Sequence, residues 1–478
     1  MKPKVKQFVE RYLTEIVEGN AAVFAGAGLS APAGFVNWRE LLRPIAEELD
    51  LDADIETDFV ALAQFHRNKH HGNKGQQNQL LIERFGVPKD PTVNHNTLAR
   101  LPIATYWTTN YDDLIEKSLS AQGKTPDIKY TEAHLALTRR GRDAVVYKMH
   151  GDISNPQDAV LAKDDYERYH LKRAAFVTAL SGDLVSRTFL FLGFSFTDPN
   201  LDYILSRVRL NLEDNQRKHY CFFKKRTKLP GETDEAFKNA VVRQELVIAD
   251  LLRFNIEAVL VDEYAEIDEA LQLLHRLYRS KSVFVSGSAD TFDPWGRAKV
   301  DAFGRILGSE LAKHGYRVVT GLGKGVGDAL LSGVVDQVYR TSRDQLDDAV
   351  LVRPFPQQIA DGDRKAVWKR YREELIGEAG IAIFLLGNKN ENGANIIADG
   401  MKQEFEIAAR EKLMVIAMGT SGYAAKEIFD DVAAAPDTFM SDLSAEAKAA
   451  VLRLGELNAE PDVMVSEIVK AIATALKK

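Results

Sequence analysis

Ala22-Val23-Phe24-Ala25-Gly26-Ala27-Gly28-Leu29-Ser30 is the stretch around which the rest of the chain is organised. It is a short apolar run that ends in glycines and a serine. Helical spacing of apolar residues precedes it over 3–18 and resumes over 38–49, which predicts a strand, a glycine loop and a helix. Such a loop lets the backbone approach a phosphate or ribose, and Ser30 can cap the next helix or bind the ligand. A tight turn without a ligand is the alternative explanation for this motif alone.

Three further strand-like runs end in residues that can carry chemistry, namely 103–109 before Asn110, 145–149 before His150, and 188–192 before Gly193 and Ser195. In open α/β sheets, ligands bind at the carboxyl ends of the strands, so we expect these ends to converge on one crevice. An amide such as Asn110 can hold a water or a ribose hydroxyl, and a histidine can accept a proton near neutral pH. Together the two residues could cleave a glycosidic bond, whereas either one alone is compatible with a purely structural role.

Composition limits the possible classes of protein. A length of 478 residues favours two or three domains, and a net charge of −7 argues against a nucleic-acid partner. The single cysteine, Cys221, excludes an intrachain disulfide and a multi-cysteine zinc site, and favours a reducing compartment. The sequence contains no apolar run of 18 residues and no apolar signal core. We therefore expect a cytoplasmic protein that does not enter a membrane.

The remaining pattern predicts two domains, over residues 1–280 and 281–478. In the first, an otherwise helical stretch over 59–85 contains a polar segment, 68–77, which we interpret as an exposed loop and a possible lid over the site. Two more strands are expected in the first domain, over 219–225 and 256–261. In the second, strands alternate with helices, which predicts a parallel sheet covered on both faces. Its expected strands are 283–288, 316–320, 348–352, 380–386 and 413–418.

Two glycine-rich strand ends suggest a nucleotide or phosphate site in the second domain, namely Gly287 with Ser288, and Gly323-Lys324-Gly325. Tight turns without a ligand are the alternative. Three charged residues can complete the site: Arg372 on a helix, Lys389 in the loop after the fourth strand, and Glu404 in the next helix. They would supply phosphate cations and a ribose acceptor, although each alone is also compatible with a solvated surface charge.

The first domain resembles the sirtuin family over about residues 10–265. The resemblance rests on Gly26-Ala27-Gly28-Leu29-Ser30, Thr108-Thr109-Asn110-Tyr111-Asp112 and His150-Gly151, which occur in the family's order. It implies that Asn110 orients the nucleophile, that His150 is the base and that Asp112 shapes the nicotinamide pocket. It further implies that NAD is bound by Ala25, Gly26, Ala27, Gly28 and Ser30, with Gly193 and Ser195 in a phosphate and ribose loop.

Two departures from the family pattern favour NAD hydrolysis over protein deacylation. Ala31-Pro32-Ala33-Gly34-Phe35 stands where the deacylases carry a PDFR-type segment, and one cysteine cannot form their four-cysteine zinc module. If no acyl peptide occupies the ribose face, water can take its place and release nicotinamide and ADP-ribose. An oxocarbenium-like transition state needs polar groups and exclusion of water, so we expect no metal and no cofactor beyond NAD as substrate. A non-catalytic nucleotide sensor and a divergent deacylase are the alternatives.

The second domain resembles the SLOG group of Rossmann-like nucleotide-binding domains. The segment 387–393 replaces that group's catalytic Pro-Gly-Gly-x-Gly-Thr loop, which favours binding over catalysis. The whole chain, an α/β protein with a sirtuin-like Rossmann domain, a helical insertion and a SLOG domain, resembles the NAD-hydrolysing effectors of bacterial Thoeris anti-phage defence. That resemblance implies a homotetramer activated by a cyclic ADP-ribose isomer, which a TIR-domain partner protein makes and which Arg372, Lys389 and Glu404 contact.

Overall fold

The computed structural model describes residues 2–196, 198–212, 215–341, 346–355 and 364–476. The chain divides into two compact units, Met1–His275 and Arg276–Lys478. Each unit contains a parallel β-sheet flanked by helices, and the second also carries a short hairpin. Both sheets therefore have the α/β architecture that the alternation of strands and helices predicts.

The helices of the first unit are α1 (Pro3–Val17), α2 (Ala27–Ser30), α3 (Trp38–Glu48), α4 (Phe59–Lys69), α5 (Gly75–Phe85), α6 (Val93–Arg100), α7 (Leu114–Ala121), α8 (Glu132–Ala136), α9 (Lys163–Glu167), α10 (Tyr169–Lys172), α11 (Ala174–Ser186), α12 (Pro199–Leu212) and α13 (Asp234–Leu251), with α14 (Ala265–Arg279) running across the divide. The strands are β1 (Ala21–Ala25), β2 (Thr105–Thr108), β3 (Pro126–Lys129), β4 (Ala144–Lys148), β5 (Thr188–Leu192), β6 (His219–Lys224) and β7 (Ile256–Val261).

The seven strands of the first unit pair in the order β3-β4-β2-β1-β5-β6-β7, and every pairing is parallel. Strand β1 is central and all five of its residues are buried. The chain proceeds from β1 to β2 on one side and later returns to β5 on the other. This reversal creates a crevice at the carboxyl ends of the central strands, which is where open α/β sheets bind ligands.

Apolar burial explains both the central strand and the first helix. Phe24 of β1 lies opposite Trp107 on one neighbouring strand and Phe191 on the other. Helix α1 packs its apolar stripe inward, and the hydroxyl of its buried Tyr12 donates to Ala22 O at 2.8 Å. Each large side chain buried in this way stabilises the fold by roughly 1.5–3 kcal/mol. The predicted helix over 3–18 and the predicted strands of this unit are confirmed to within a few residues.

The helical insertion of the first unit consists of α3, α4 and α5. Helix α3 begins with a capping box, in which the Asn37 side chain accepts from Glu40 N and the Glu40 carboxylate accepts from Asn37 N. The predicted exposed loop over 68–77 is wrong in its extent, because α4 continues to Lys69 and α5 starts at Gly75. Gln77 is 1% exposed, since its side chain accepts two hydrogen bonds from the buried guanidinium of Arg67. Residues 68–76 are all exposed or partly exposed, as predicted, and only Gln77 is buried through this polar contact.

The remaining helices of the second unit are α15 (Arg297–Lys313), α16 (Gly327–Thr341), α17 (Leu346–Ala349), α18 (Arg364–Gly377), α19 (Asp399–Arg410), α20 (Tyr423–Ala434), α21 (Pro436–Phe439), α22 (Ala445–Glu456) and α23 (Pro461–Leu476). Its strands are β8 (Ser282–Ser288), β9 (Arg317–Thr320), β10 (Val350–Val352), β11 (Ile381–Leu386), β12 (Asn388–Glu391), β13 (Ala394–Ile397) and β14 (Met414–Ala417).

The second unit has a five-stranded parallel sheet in the order β10-β9-β8-β11-β14. Phe284 and Phe384 pack edge to face across its core. Two local predictions differ from the structure. The strand expected over 348–352 is confined to β10, because the residues before it form α17, and Lys389 lies in β12 of an antiparallel hairpin with β13 instead of in a loop. Among the described residues, no helix combines the length and the apolarity that crossing a membrane requires.

Candidate functional site

A cleft of about 930 Å³ opens at the carboxyl edge of the first sheet. Its walls come from the segments that follow β1, β2, β4 and β5, with the first turns of α3 and α4 on the insertion side. The predicted site residues that line it are Ala27, Gly28, Ser30, Asn110, Asp112, His150, Gly193 and Ser195. The strand ends that the sequence pattern singled out therefore meet at one cavity large enough for a dinucleotide.

Ala25 and Gly26, also predicted to bind NAD, lie at the end of β1 and contact the neighbouring strand ends. The carbonyl of Ala25 accepts a hydrogen bond from the Thr108 hydroxyl at 3.0 Å. The carbonyl of Gly26 accepts from Asn110 Nδ2, also at 3.0 Å. Both carbonyls thus connect the end of β1 to the end of β2.

The glycines of this region bring two loops into backbone contact. A Cβ on Gly26 would lie 2.5 Å from Gly193 O, and a Cβ on Gly28 would lie 2.8 Å from Gly193 Cα. Gly193 itself has φ +63° and no room for a side chain, because a Cβ would lie 2.1 Å from Leu29 N. Gly28 N also donates to Gly193 O at 2.9 Å. Packing between the β1 and β5 loops therefore requires these three glycines whether or not a ligand is present.

Asn110 is fixed by the loop that follows β1. Its Nδ2 donates to Gly26 O at 3.0 Å and to Ser30 Oγ at 3.1 Å, and its backbone N–H donates to Thr108 Oγ1 at 2.9 Å. Because the amide nitrogen makes both side-chain contacts, the carbonyl oxygen Oδ1 is the end able to accept a hydrogen bond from water or from a sugar hydroxyl. Asn110 is thus positioned as an acceptor within the cleft.

His150 is 2% exposed and lies beside a carboxylate that sequence reasoning did not assign to the site. Its Nε2 is 3.1 Å from Asp198 Oδ2, and its ring meets Tyr166 edge to face. Burial alone would raise the pKa of Asp198, but the charge of His150 and the backbone N–H groups of Asn200 and Leu201 outweigh burial and lower that pKa. An ionised Asp198 stabilises a positive charge on the histidine, as an acid–base pair requires.

The position of Asp198 in the sequence offered one clue. It directly precedes the proline that begins α12, and its Oδ1 accepts from the backbone N–H groups of Asn200 and Leu201 at 3.0 Å each. An aspartate at this place reads as an ordinary helix cap. Its second oxygen reaches His150 across the ends of β2 and β1, the two strands that separate β4 from β5 in the sheet, and the sequence does not state this order.

Three residues that line the cleft each have a buried polar atom without a hydrogen-bond partner among the described residues. They are Asp112 Oδ2, Asn200 Nδ2 and His150 Nε2, whose contact with Asp198 at 3.1 Å is an ion pair. Asp112 Oδ1, by contrast, accepts from Leu114 N at 3.1 Å. Burial raises the pKa of Asp112, and the Ser30 hydroxyl opposes that rise. Unpaired buried polar atoms are costly, so their concentration in residues around this cleft is typical of a functional site.

Lys148 supports the loop that carries Asn110 and Asp112. This fully buried ammonium donates to the backbone carbonyls of Tyr111 at 3.2 Å and Asp112 at 2.6 Å. It also pairs with Glu116 at 3.1 Å and with Asp152. Burial would lower the pKa of Lys148, but the two carboxylates raise it to about 12. The charged lysine therefore joins the end of β4 to the segment after β2.

In the second unit, Arg372 and Glu404 form a buried pair, with Arg372 Nε 3.6 Å from Glu404 Oε1. The guanidinium lies over the rings of Phe355 and Trp368, 5.0 and 5.7 Å from their centroids. Glu404 Oε2 accepts from the Ser286 hydroxyl at 2.6 Å. Burial raises the pKa of Glu404, while Ser286 and Arg372 oppose the rise. Two of the predicted charged residues thus meet beside β8.

Lys389 and Lys324 have other partners. Lys389 Nζ contacts Asp399 at 3.0 Å and Glu391 at 3.4 Å. Lys324 pairs with Asp290, whose pKa is lowered by this contact. Asp290 also accepts from Asn390 N in the hairpin at 2.7 Å. The predicted cations of this edge are therefore all matched to carboxylates of the same unit.

The glycine loops of the second unit also pack against each other. A Cβ on Gly323 would lie 1.8 Å from Gly287 O, and a Cβ on Gly325 would lie 2.7 Å from Ala289 O. Ser288 Oγ donates to Asn388 O of the hairpin at 3.4 Å. The ends of β8, β9 and β11 are thus held together, and the close approach of two backbones accounts for the glycines.

Family models match both units. The model of the SIR2-like domain matches residues 104–243. The model of the Sir2- and TIR-associating SLOG family, STALD, matches residues 266–475. The two domain types occur in the predicted order.

Curated relatives cover nearly the whole chain. The chain is 48% identical to the NAD(+) hydrolase ThsA of Acinetobacter baumannii (strain 532279) over 470 residues, and this aligned region covers 97% of each protein. It is 45% identical over 472 residues to NAD(+) hydrolase ThsA of Bacillus cereus (strain MSX-D12), covering 99% of this chain and 98% of that relative. It is 42% identical over 478 residues to NAD(+) hydrolase ThsA of Cytobacillus dafuensis, covering 98% and 96%. With a SIR2-like domain followed by a STALD domain, the chain belongs to the ThsA family.

Proposed function

We propose that the first unit hydrolyses NAD to nicotinamide and ADP-ribose in the cleft at the carboxyl edge of its sheet. The observation that carries this proposal is the convergence of Asn110 and His150, both buried, on one cavity of about 930 Å³. The relatives named NAD(+) hydrolase ThsA support it, because they match this chain along nearly its full length.

The reaction consumes one water and breaks the bond between the nicotinamide nitrogen and the ribose. The bonding electrons leave with nicotinamide, and positive charge develops on the ribose as an oxocarbenium-like centre. Water then forms the new carbon–oxygen bond and loses one proton. Asn110 holds this water through its free carbonyl oxygen, and His150 accepts the proton.

Asp198 gives His150 its electrostatic support. The carboxylate lies 3.1 Å from the imidazole and is largely removed from solvent, so its attraction for an imidazolium is stronger than it would be in water. The same negative charge favours the developing ribose cation. Asp112 and Asn200, each with an unpartnered polar atom in the wall, are the groups best placed to bind the polar parts of the substrate.

We further propose that the second unit binds a cyclic ADP-ribose isomer that activates NAD hydrolysis as an allosteric ligand. Arg372 and Lys389 would contact its phosphates and Glu404 a ribose hydroxyl, with Gly287, Ser288 and the 323–325 loop beneath it. In this scheme a TIR-domain partner makes the isomer during phage infection, and a cytoplasmic homotetramer then depletes NAD as a Thoeris effector. Activation requires the isomer to bind the active state more tightly than the resting state.

Nicotinamide release by the purified full-length protein tests both parts. NAD is supplied with and without each cyclic ADP-ribose isomer, and we expect release to rise when the correct isomer is present. His150→Ala should lower the activated rate by about 10²–10⁴-fold, the range for loss of a general base. His71→Ala, which removes an exposed histidine outside the cleft, is the matched control and should retain the wild-type rate.

Different failures identify different errors. NAD turnover that persists in His150→Ala would show that His150 is not the general base. NAD binding without nicotinamide release under every condition would favour a non-catalytic sensor. Turnover that is unaffected by any isomer would leave NAD hydrolysis intact and refute the activation proposal.

A further inference from the structure

Glu48, His66 and His70 form a cluster on the helical insertion, which we call the α3–α4 cluster. Glu48 is the last residue of α3, His66 lies in the last turn of α4, and His70 is the C-cap residue directly after α4. His66 Nε2 is 3.1 Å from Glu48 Oε2, and His70 Nε2 is 2.7 Å from Glu48 Oε1. One ligand atom from each residue thus lies within 4.8 Å of the others.

We propose that the α3–α4 cluster binds a Zn²⁺-like transition-metal ion and thereby ties together two helices that line the cleft. Two histidines four residues apart on a helix present their rings on one face, which is a common geometry for paired metal ligands. The carboxylate comes from the neighbouring helix. Three such ligands with one position left for water match the composition of open zinc sites.

The ligand atoms must move apart by less than 1 Å to admit an ion. Zn–N and Zn–O bonds of about 2.0–2.1 Å in a tetrahedron place neighbouring ligand atoms about 3.3–3.4 Å apart. The 3.1 Å contact of Glu48 with His66 is about 0.2–0.3 Å shorter than this spacing, and its 2.7 Å contact with His70 is about 0.6–0.7 Å shorter. An ion therefore enters when the Glu48 carboxylate and the His70 ring move apart. Metal binding would replace the protons that now lie between these nitrogen and oxygen atoms.

The surroundings favour a cation and also indicate the metal class. Helices α3 and α4 both end at the cluster, so both direct the negative ends of their dipoles towards it. Imidazole nitrogen favours zinc, nickel or copper, whereas calcium and magnesium prefer all-oxygen ligands.

Two features predict an affinity below that of a closed four-ligand zinc site. His66 Nδ1 is buried without a hydrogen-bond partner, and it must carry the proton when Nε2 binds the metal. Lys69 Nζ lies 3.7 Å from Glu48 Oε1 and repels a second cation. We therefore expect reversible binding that chelators remove.

The consequence for the protein lies at the opposite ends of the same helices. The first turn of α3 contributes Trp38 and Leu41 to the cleft wall, and the first turn of α4 contributes Phe59 and Val60. The two helices pack through Leu42 and Leu62 of a shared core. An ion that joins their C-terminal ends would reduce the motion of one helix against the other and so stiffen that wall.

Titration of tag-free, full-length protein with ZnCl₂ tests the site, with binding followed by calorimetry and by the melting temperature. We expect one zinc ion per chain with a rise in melting temperature, and a loss of at least about tenfold in affinity in His70→Asn and in Glu48→Gln. His71→Asn, which changes the adjacent exposed histidine, is the matched control and should bind as the wild type does. His70 and Glu48 are not buried, so metal-free variants should melt close to the metal-free wild type.

Hydrogen exchange locates the ion. Zinc should slow amide exchange over 59–70 in the wild type and in His71→Asn, and have no such effect in His70→Asn. Absence of binding by the wild type, or binding that His70→Asn and Glu48→Gln both retain in full, would overturn the proposal. Protection confined to other segments would do the same.

Discussion

The carboxyl edges of the two sheets are built on the same plan but differ in how their polar groups are satisfied. At the first edge, the cleft-lining residues Asp112 and Asn200 each have a buried polar atom without a hydrogen-bond partner among the described residues, and His150 pairs with Asp198. At the second edge, Lys389 and Lys324 each pair with a carboxylate of their own unit, and Arg372 contacts Glu404 at 3.6 Å although its Nε makes no hydrogen bond to a described residue. All three predicted cations of the second edge thus lie beside carboxylates, so a ligand there must exchange existing ion pairs for new ones, whereas Asp112 and Asn200 of the first edge keep polar atoms that are still unpaired.

This difference suits the two proposed tasks. A catalytic cleft benefits from polar groups that are fixed before substrate arrives, because no reorganisation is then needed in the transition state. A regulatory site benefits from contacts that change on binding, because a ligand shifts an equilibrium only through differential affinity. Four substitutions test whether the contrast is real.

Lys148→Met should have the largest effect. It removes the ammonium that donates to Tyr111 and Asp112 and leaves Glu116 and Asp152 buried without their cation. We expect a loss of about 3–5 kcal/mol in stability together with most of the NAD hydrolysis. Thermal melting and nicotinamide release measure the two effects. Lys117→Met changes a partly exposed lysine nearby, whose ion pair with Asp113 lies at the surface, and should melt within a degree or two of the wild type. An equal change in both variants would show that Lys148 has no special role.

Arg372→Met should have the next largest effect, at the second edge. Methionine can keep the contact with Phe355 and Trp368 but loses the charge and the donors of the guanidinium. We expect the affinity for the activating isomer to fall about 10- to 100-fold, the range for a hydrogen bond to a charged group. Calorimetric titration measures this affinity, with Arg370→Met on the exposed side of the same helix as control. An unchanged affinity of Arg372→Met for the isomer would show that the isomer binds elsewhere.

Asp165→Asn tests a buried ion pair behind the cleft. Burial would raise the pKa of Asp165, but hydrogen bonds from Arg67 and Lys74 lower it from 3.8 to about 2. A lowered carboxyl pKa contributes stability that is fully present above pH 3.8 and is lost as the pH falls towards 2. The contribution is roughly 2 kcal/mol at neutral pH. The melting temperature of Asp165→Asn should therefore lie below that of the wild type at pH 7, and the gap should narrow below pH 4. A gap that is constant with pH would contradict the ion-pair origin.

Asp399→Asn should have the smallest effect and the opposite sign. It removes the carboxylate that lies 3.0 Å from Lys389 Nζ and so frees this lysine for a phosphate. Because exposed ion pairs are weak, we expect the isomer to bind only about two- to threefold more tightly. Asp437→Asn, which changes an exposed carboxylate that pairs with Lys448, is the control for a general change in charge. Weaker binding in Asp399→Asn would show that the Lys389 pair belongs to the bound state.

The two edges also differ in what the sequence could predict. Asn110, His150 and the β1 loop follow strands of clear apolar pattern, so their convergence follows from the topology rule for parallel sheets. Asp198 and Lys148 were missed because their roles depend on which strands are neighbours. The sequence pattern alone indicates a helix cap at Asp198 and the polar end of a strand at Lys148.

Long-range hydrogen bonds explain why the hairpin of the second unit was not predicted from the sequence. Residues 388–397 contain Asn, Lys, Glu and Gly, which indicate a loop by composition. They form a hairpin because Asn388 binds the 290–291 backbone through its side chain and Asp290 accepts from Asn390 N. Similarly, Gln77 lies in a helix and is buried because its side chain accepts hydrogen bonds from Arg67. Such long-range polar contacts leave no periodic trace in the sequence.

The contact of Gly26 and Gly28 with Gly193 has a consequence for the recognition of inactive descendants. Any side chain at these positions would collide with backbone, and backbone cannot be trimmed by a compensating substitution elsewhere. A homologue that has lost catalysis but keeps its fold should therefore retain all three glycines while Asn110, His150 and Asp198 drift. In the proposed mechanism, the three glycines would identify members of the lineage, and the three polar residues would distinguish working enzymes from pseudoenzymes.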